Sequence, residues 1–166
     1  MRAIRREGLL LDPQRLFEAA LIEVAGELSL DEAPAESDVW LTERVRRALR
    51  RVRNRDAQWV QRAGGSETDV GPGAFLVEAF RVPESEAAEA ALRFHELEQR
   101  TRRIFLALTV DGWSLARTSE RFGGDARELA DAVWEGMHAL GLATEEERDR
   151  ILDDLLRIDS QRGNRP

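Results

Sequence analysis

The amino-acid sequence predicts an all-α protein, and three observations carry that prediction. Apolar residues recur every three or four positions along several segments, which is the spacing of one face of a helix. Helix-capping residues and glycines bound these segments. Strand signals are nearly absent, and the one ambiguous run is AFLVEAFRV, residues 74–82. We therefore expect two small helical domains or halves.

The first long helix is predicted to begin at Asp12-Pro13, because Asp can accept hydrogen bonds at the N-cap and Pro suits the first helical position. It runs to about Leu28, with apolar positions at Leu16, Phe17, Ala20, Leu21, Val24 and Leu28. A polar break follows, and Ser37 or Asp38 can cap a second helix. The apolar stripe of that second helix is Leu41, Val45, Ala48, Leu49 and Val52.

A Gly-, Ser- and Pro-rich run, RAGGSETDVGPGA (residues 62–74), has no helical periodicity and reads as a flexible connector. We place the domain boundary there. The prediction is an N-terminal helical domain over residues 1–62, a Gly-rich linker over residues 63–83 and a C-terminal domain over residues 84–166.

The C-terminal domain begins with a long run of helix formers, residues 86–108, whose expected core contacts are Leu97, Ile104, Phe105 and Leu108. A short helix from about Ser114 to Phe122 and a longer one from Asp125 to Leu140 come next, separated by Gly123-Gly124. This is the outline of a helix-turn-helix. Thr144 and Glu147 form a capping-box pair that opens a last helix, with Ile151, Leu152, Leu155, Leu156 and Ile158 on one side.

The composition narrows the classes of function. The chain has no cysteine, which fits a reducing cytoplasm, and no apolar run approaches the roughly 20 residues of a membrane span. All basic residues are arginine, which we interpret as codon bias toward a GC-rich genome. The net charge of −7 is unevenly distributed: residues 1–62 carry a net charge of +1, and residues 63–166 carry −8. An anionic partner would therefore favour the first part.

The sequence offers no case for an enzyme or for a bound cofactor or metal. Glu135 and His138 share a helix face, but a carboxylate-bridged metal site needs a second Glu-x-x-His pair, and His95 has no Glu three residues before it. Neither Gly-x-Ser-x-Gly nor a phosphate-binding loop is present. A metal enzyme would require His95 to meet His138 with glutamates between them.

The strongest candidate for partner binding is a helix with seven arginines within twelve residues. Guanidinium groups spread around a helix suit phosphates, since each can make forked, charge-assisted hydrogen bonds. Equally, they can form a solvated face that pairs with the many acids. The arginines are Arg44, Arg46, Arg47, Arg50, Arg51, Arg53 and Arg55.

Motifs of the C-terminal half follow a recognisable order. A leucine before a polar turn, an arginine-rich helix start with an apolar patch, and acidic-Gly-x-Ser appear as Leu97, RTRRIFLAL (residues 100–108) and DGWS (residues 111–114). Phe122-Gly123 ends the next helix. In this order they resemble region four, the DNA-binding region, of bacterial sigma factors, most closely the extracytoplasmic-function (ECF) group. The resemblance covers about a quarter of the chain, residues 97–140.

The N-terminal half carries a weaker resemblance to the same family. VWLTERVRRALRRVRNR, residues 39–55, looks like the ECF segment in which a Trp-Leu pair precedes a basic helix near the promoter −10 element. Together the two resemblances imply a non-catalytic, cytoplasmic transcription regulator of a bacterium, which binds DNA, RNA polymerase or both.

The recognition helix departs from the family. The family presents Lys, Arg, Ser and Thr to DNA there, whereas those places here fall on Ala130, Asp131, Ala132 and Glu135. Helical spacing buries Leu129, Val133, Gly136, Met137 and Leu140 and leaves Arg127, Glu128, Asp131, Trp134, Glu135 and His138 toward solvent or a partner. Acids repel phosphates, so Arg117, Arg121 and Arg127 are the residues expected to hold this half on DNA.

The altered face supports an alternative function. A helical adaptor that keeps a sigma-like fold without DNA binding could hold a protein partner through Trp134, Asp131 and Glu135, because aromatic residues are enriched in interface cores, or through the helix of Ile151 to Ile158. Trp134 could equally pack under the C-terminal helix.

Overall fold

The computed structural model describes residues 2–28, 37–61 and 73–163, and it confirms the all-α prediction. Over those residues there is no strand, and residues 74–80 of the run AFLVEAFRV are helical. The described helices are α1 (Arg2–Glu7), α2 (Pro13–Leu28), α3 (Ser37–Gln61), α4 (Ala74–Phe80), α5 (Glu84–Glu96), α6 (Gln99–Thr109), α7 (Leu115–Phe122), α8 (Ala126–Ala139) and α9 (Arg148–Gly163). None of the helices within these ranges is long and apolar enough to cross a membrane.

The chain forms two compact units whose limits differ from the predicted domains. One unit comprises Met1–Ile4 and Leu10–Leu92, and the other comprises Arg5–Leu9 and Arg93–Pro166. The division therefore falls inside α5, whereas the predicted linker covered residues 63–83. The first part of that linker, residues 63–72, lies outside the described residues, and residues 74–80 form α4.

Helix α4 belongs to the first unit because it meets α5 closely. The turn before it is made by Gly73, whose φ of 92° is a left-handed conformation that favours glycine. A Cβ on Gly73 would lie 2.4 Å from the carbonyl oxygen of Ala87, so only glycine allows this approach. Glycine at this position thus serves a packing contact, where the sequence suggested a flexible connector.

The first unit contains an α2–α3 pair, which the sequence predicted in outline. Asp12 Oδ1 accepts a hydrogen bond from the backbone N–H of Gln14 at 2.8 Å, as expected of a residue at the start of α2. The buried apolar residues of the pair are Leu16, Ala48, Leu49 and Val52. Other members of the predicted stripes are exposed: Phe17 at 62%, Leu21 at 50% and Leu41 at 48%.

In the second unit, α6, α7 and α8 contact one another and α9 contacts α8. A buried cluster of Ile104, Leu115, Leu129 and Ala132 joins α6, α7 and α8. Phe105 is fully buried beside Phe94, with ring centroids 5.2 Å apart. Among the predicted core contacts, Ile104 and Phe105 are buried, while Leu97 and Leu108 are half-buried.

The long run of helix formers is broken into α5 and α6, and a buried arginine holds the break. Arg102 donates through Nε to the carbonyl of Gly8 at 2.9 Å and through Nη1 to the carbonyl of His95 at 2.8 Å. It also donates to the carbonyls of Leu97 and Glu7. A single guanidinium of α6 thus satisfies carbonyls at the end of α5, in the break and at or just after the end of α1, which helix propensity alone does not predict.

Candidate nucleic-acid interface

The arginine-dense segment predicted from the sequence lies on α3. Its buried side contains Ala48, Leu49 and Val52 together with Arg44 and Asp56, and the other arginines lie on the exposed surface of the helix. Residues 44–55 carry seven arginines and no acid, a formal charge of +7. The exposed members are Arg46, Arg47, Arg50, Arg51, Arg53 and Arg55.

Arg44 does not belong to this surface, and its prediction as a nucleic-acid contact is wrong. The residue is 8% exposed, and its guanidinium lies over the ring of Trp40 with 5.3 Å from Cζ to the ring centroid. Arg44 precedes Ala48 by one helical turn and shares the buried face with it, so its side chain points inward. Counting arginines in the segment could not separate this inward residue from the outward ones.

Two glutamates contact the arginine surface and leave most of its charge in place. Glu43 lies 3.4 Å from Arg50 and 3.7 Å from Arg46, and Glu23 of α2 lies 2.8 Å from Arg51. The Glu43 side chain is 43% exposed, and ion pairs of that kind stabilise a protein only weakly because water competes for both partners, whereas the Glu23 side chain is only 11% exposed. A phosphate could therefore replace or share the Glu43 contacts at small cost.

Part of the surface forms a groove of about 490 Å³ between α2 and α3, which we call the arginine groove. Its basic residues are Arg47, Arg50, Arg51 and Arg55. Glu23 lines the α2 side, and Asn54 and Gln58 add amides. The lining residues thus carry a formal charge of +3. Arg46 and Arg53 lie on the same helix but do not line the groove.

A buried ion pair ties α2 to α3 one turn from the groove. Arg15 of α2 lies 2.9 Å from Asp56 of α3, and the Asp56 side chain is only 5% exposed. Burial raises the pKa of Asp56 above its ordinary value of 3.8, and the positive charge of Arg15 opposes that rise. The pair and the Arg51–Glu23 contact together hold the two helices that form the groove.

In the second unit, α7 and α8 are joined by Gly123, Gly124 and Asp125. Both helices have N-caps at their predicted starts: Ser114 Oγ accepts from the backbone N–H of Arg117 at 3.2 Å, and Asp125 Oδ1 accepts from that of Glu128 at 2.9 Å. The three arginines predicted here, Arg117, Arg121 and Arg127, are all exposed. Arg117 lies over the ring of Trp113, at 4.1 Å from Cζ to the centroid.

Trp134 packs under the start of the C-terminal helix, which is the second of the two placements that the sequence allowed, so Trp134 and Asp131 are not free to bind a partner. Trp134 is 8% exposed, and its Nε1 donates to the carbonyl of Thr144 at 3.3 Å. Arg148 lies over the Trp134 ring at 4.8 Å and donates to Asp131 Oδ1 from Nη2 at 2.8 Å. The start of α9 thus packs on the outward face of α8. Glu135, the third predicted partner residue, is half-buried.

The histidines are occupied by structural contacts. His95 is 7% exposed and packs edge-on against Phe94, and its carbonyl is one of the acceptors of Arg102. The Nδ1 of His138 lies 3.1 Å from the carbonyl of Ala143, and its ring stacks on Trp134 at 5.0 Å. Over the part of the chain that the structure describes, no group of three or more His, Asp or Glu is arranged to hold a metal ion.

Two sets of residues were missed from the sequence. Glu23, Asn54 and Gln58 were not singled out, although Asn54 and Gln58 follow Arg47 and Arg51 at helical spacing and a helical projection would have grouped them. The role of Arg148 as a cover for α8 had no local signal, since it depends on how α9 returns to α8.

No protein-family model, curated protein or solved structure matches this chain. Its function therefore has to be argued from its own residues.

Proposed function

We propose that this protein is a non-catalytic, sigma-factor-like transcription regulator that contacts the phosphates of DNA through the arginine surface of α3. The observation that carries the proposal is the exposure of Arg46, Arg47, Arg50, Arg51, Arg53 and Arg55 on one helix. The resemblance of residues 39–55 and 97–140 to the sigma factor family supports the same class. RNA polymerase is the protein partner that this resemblance implies.

Electrostatics favour contact through α3 despite the acidic net charge. The chain as a whole carries −7, but the segment 44–55 carries +7. Phosphate contacts are short-ranged at physiological salt, where the Debye length is about 8 Å, so the local charge governs them. Guanidinium groups bind phosphate oxygens through pairs of hydrogen bonds, which suits sequence-independent contact with the backbone.

The α7–α8 pair would contribute phosphate contacts and little base readout. We interpret it as a helix-turn-helix, since a three-residue turn containing glycine joins the helices. Arg117, Arg121 and Arg127 are exposed and can contact the backbone. Trp134 and Asp131, in contrast, are held by Thr144 and Arg148. We therefore expect DNA binding with weak sequence preference.

The test is fluorescence anisotropy of the full chain with a labelled mixed-sequence DNA duplex over a salt series. Each phosphate contact adds about 0.9 to the slope of log affinity against log salt. The R46Q/R47Q/R50Q/R51Q variant is expected to lower that slope by about 3 to 4. An R117Q/R121Q/R127Q variant measures how much of the salt slope comes from the arginines of the second unit. Glutamine keeps much of the side-chain length while it removes the charge.

Two results would contradict the proposal. Wild-type protein that does not bind duplex DNA at low salt would show that the acidic remainder of the chain overrides α3. An unchanged salt slope in the α3 variant, with wild-type circular dichroism, would move the contacts elsewhere. Either result would direct attention to a protein partner.

A helical protein-protein adaptor is the second candidate, and the apolar surface of α2 favours it. Phe17 and Ile22 are each 62% exposed and Leu21 is 50% exposed. Apolar residues clustered on one exposed helix face often mark a protein interface. An adaptor role predicts that F17S/L21S abolishes co-purification of a cellular protein, whereas the α3 variant does not.

A further inference from the structure

We infer that the arginine groove is a binding site for a ligand with two or more linked phosphates, such as a nucleoside diphosphate or pyrophosphate. Linked phosphates are the chemistry that both ligands share. The groove lies within the first unit, between α2 and α3; its arginines come from α3, and Glu23 comes from α2. Its four arginines are also among the DNA contacts proposed above, but binding of a small ligand can be measured in the absence of DNA.

The size and shape of the groove suit a small ligand. Its volume of about 490 Å³ lies in the usual range of roughly 300–1,000 Å³ for small-molecule sites. Arg47, Arg51 and Arg55 follow one another at four-residue spacing, so their Cα atoms rise by about 6 Å from one to the next. Guanidinium groups on such long side chains can converge on one central group of phosphates.

The charge of the groove also suits linked phosphates. Four arginines and one glutamate give its lining a formal charge of +3, which a diphosphate or triphosphate can neutralise and a single phosphate cannot. Arginine is well suited to the task, because its planar fork donates two parallel hydrogen bonds to phosphate oxygens. The ligand would share Arg51 with Glu23, whose side chain is only 11% exposed.

The position of Glu23 favours a compact ligand over a nucleic-acid strand that passes through the groove. Its carboxylate stands on the α2 side, opposite the arginines of α3, and would repel a phosphodiester chain that crossed the groove. A compact anion can stay on the α3 side. Asn54 and Gln58 add amide groups that both donate and accept hydrogen bonds, as the polar edge of a base or sugar requires.

The walls of the groove are held in place from within the unit. The buried Arg15–Asp56 ion pair joins α2 to α3, and the apolar residues Leu16, Ala48 and Val52 lie buried in the same unit. A site on two fixed helices loses less conformational entropy on binding than one on loops. Most of the ordering required of the ligand site then falls on the arginine side chains.

The experiment is isothermal titration calorimetry of the full chain with ADP, pyrophosphate, AMP, adenosine and orthophosphate. We expect saturable binding of ADP and pyrophosphate and at least about tenfold weaker binding of AMP and orthophosphate, which offer fewer charge-assisted hydrogen bonds. Tighter binding of ADP than of pyrophosphate would indicate that the Asn54 and Gln58 amides bind the nucleoside. Equal affinity would assign the recognition to the phosphates alone, and both results support the site.

Matched variants separate the groove from the general charge of α3. R50Q/R51Q removes two groove arginines and should weaken ADP binding at least about tenfold. R46Q/R53Q makes the same charge change on the same helix outside the groove and should leave ADP affinity within about twofold. E23Q removes the acid and should tighten binding about fivefold, a gain that misfolding cannot produce.

The inference is overturned if neither ADP nor pyrophosphate binds saturably, or if R46Q/R53Q and R50Q/R51Q weaken binding equally. It is also overturned if E23Q leaves ADP affinity unchanged or lowers it while its thermal unfolding matches the wild type. R50Q/R51Q should also lower the salt slope of DNA binding by about 2, because both arginines are proposed phosphate contacts. Saturable ADP binding by wild-type protein that does not bind duplex DNA would support the groove and contradict the proposed function, so the two can fail separately.

Discussion

Replacement of Gly136 by alanine tests the closest helix contact of the second unit. Gly136 lies in α8, and its missing side chain leaves room for Phe105 of α6. An alanine Cβ would lie 2.2 Å from Phe105 Cδ2 and 2.6 Å from Cγ. Ordinary van der Waals contact begins at 3.4 Å, so the ring or the helix would have to move by about 1.2 Å.

The surroundings of Phe105 decide how costly that movement is. The ring is fully buried and packs edge-on against Phe94, so it cannot turn away into solvent. Overpacking a core of this kind costs about 1–3 kcal/mol. Alanine also gains up to about 1 kcal/mol of helix propensity over glycine. We expect Gly136→Ala to lower the free energy of unfolding by about 1–2 kcal/mol, and the melting temperature by roughly 2–8 °C.

Gly26→Ala is the matched control. Gly26 lies in α2, and nothing stands within 4 Å of the Cβ that alanine would add. The same substitution should therefore stabilise the first unit, by about 0.5–1 kcal/mol. Urea unfolding gives the global change, and amide hydrogen exchange of peptides from each unit shows which one responds.

A third variant identifies the clash itself. Phe105→Leu in the Gly136→Ala background removes the ring atoms that the new methyl group meets. The cost of the double variant should then be less than the sum of the two single changes, because the residues touch. Gly136→Ala as stable as the wild type would refute the close approach of α6 and α8.

Three further predictions concern buried or paired charges. Arg102→Met should lower the free energy of unfolding by about 3–5 kcal/mol in urea titrations, because several carbonyl oxygens lose a charged donor. For Asp56, the raised folded pKa means that the folded state binds the proton more tightly than the unfolded state. The free energy of unfolding should therefore fall as pH rises from 3.8 through the raised pKa, and Asp56→Asn should remove that decline in urea titrations between about pH 4 and pH 7. Arg148→Gln removes the contacts to Asp131 and Trp134 and should increase amide exchange over residues 143–150 while α6 stays protected.

Local signals explain how much of the fold could be predicted. The starts of α2, α7 and α8 follow from Asp12, Ser114 and Asp125, each of which accepts a hydrogen bond from a backbone N–H two or three residues later. These interactions lie within one helical turn, so the sequence contains both partners. The all-α class follows for the same reason, since the periodicity that predicts it is also local.

Non-local contacts explain what could not be predicted. The break between α5 and α6 is held by Arg102, whose acceptors include Gly8, more than ninety residues earlier in the sequence. Trp134 was placed on the outward face of α8 by helical spacing, and that placement on the helix is compatible with the structure. Helical spacing cannot show that Thr144 and Arg148 cover the same face. Burial therefore depends on packing between elements as well as on periodicity.

The candidate site shows the same limit at the level of single residues. The sequence identifies α3 as the basic helix, but only the packing of α2 against it distinguishes buried Arg44 from exposed Arg46. The groove likewise needs Glu23, which comes from another helix. The residue types of a site on one helix can be predicted from the sequence, whereas the shape of the site also depends on the neighbouring helix.

The buried and the exposed arginines of this chain affect its stability differently. Arg102 donates to buried carbonyls, where its contacts stabilise the fold, and Arg15 offsets part of the cost of burying Asp56. The exposed arginines of α3 do the opposite, because Arg46 and Arg50, like Arg47 and Arg51, stand four residues apart on one helix. Like charges at that spacing destabilise a helix by about 0.2–0.5 kcal/mol per pair. Folding alone therefore gives no reason for their density, whereas a polyanionic partner would relieve the repulsion and turn each pair into a binding contribution.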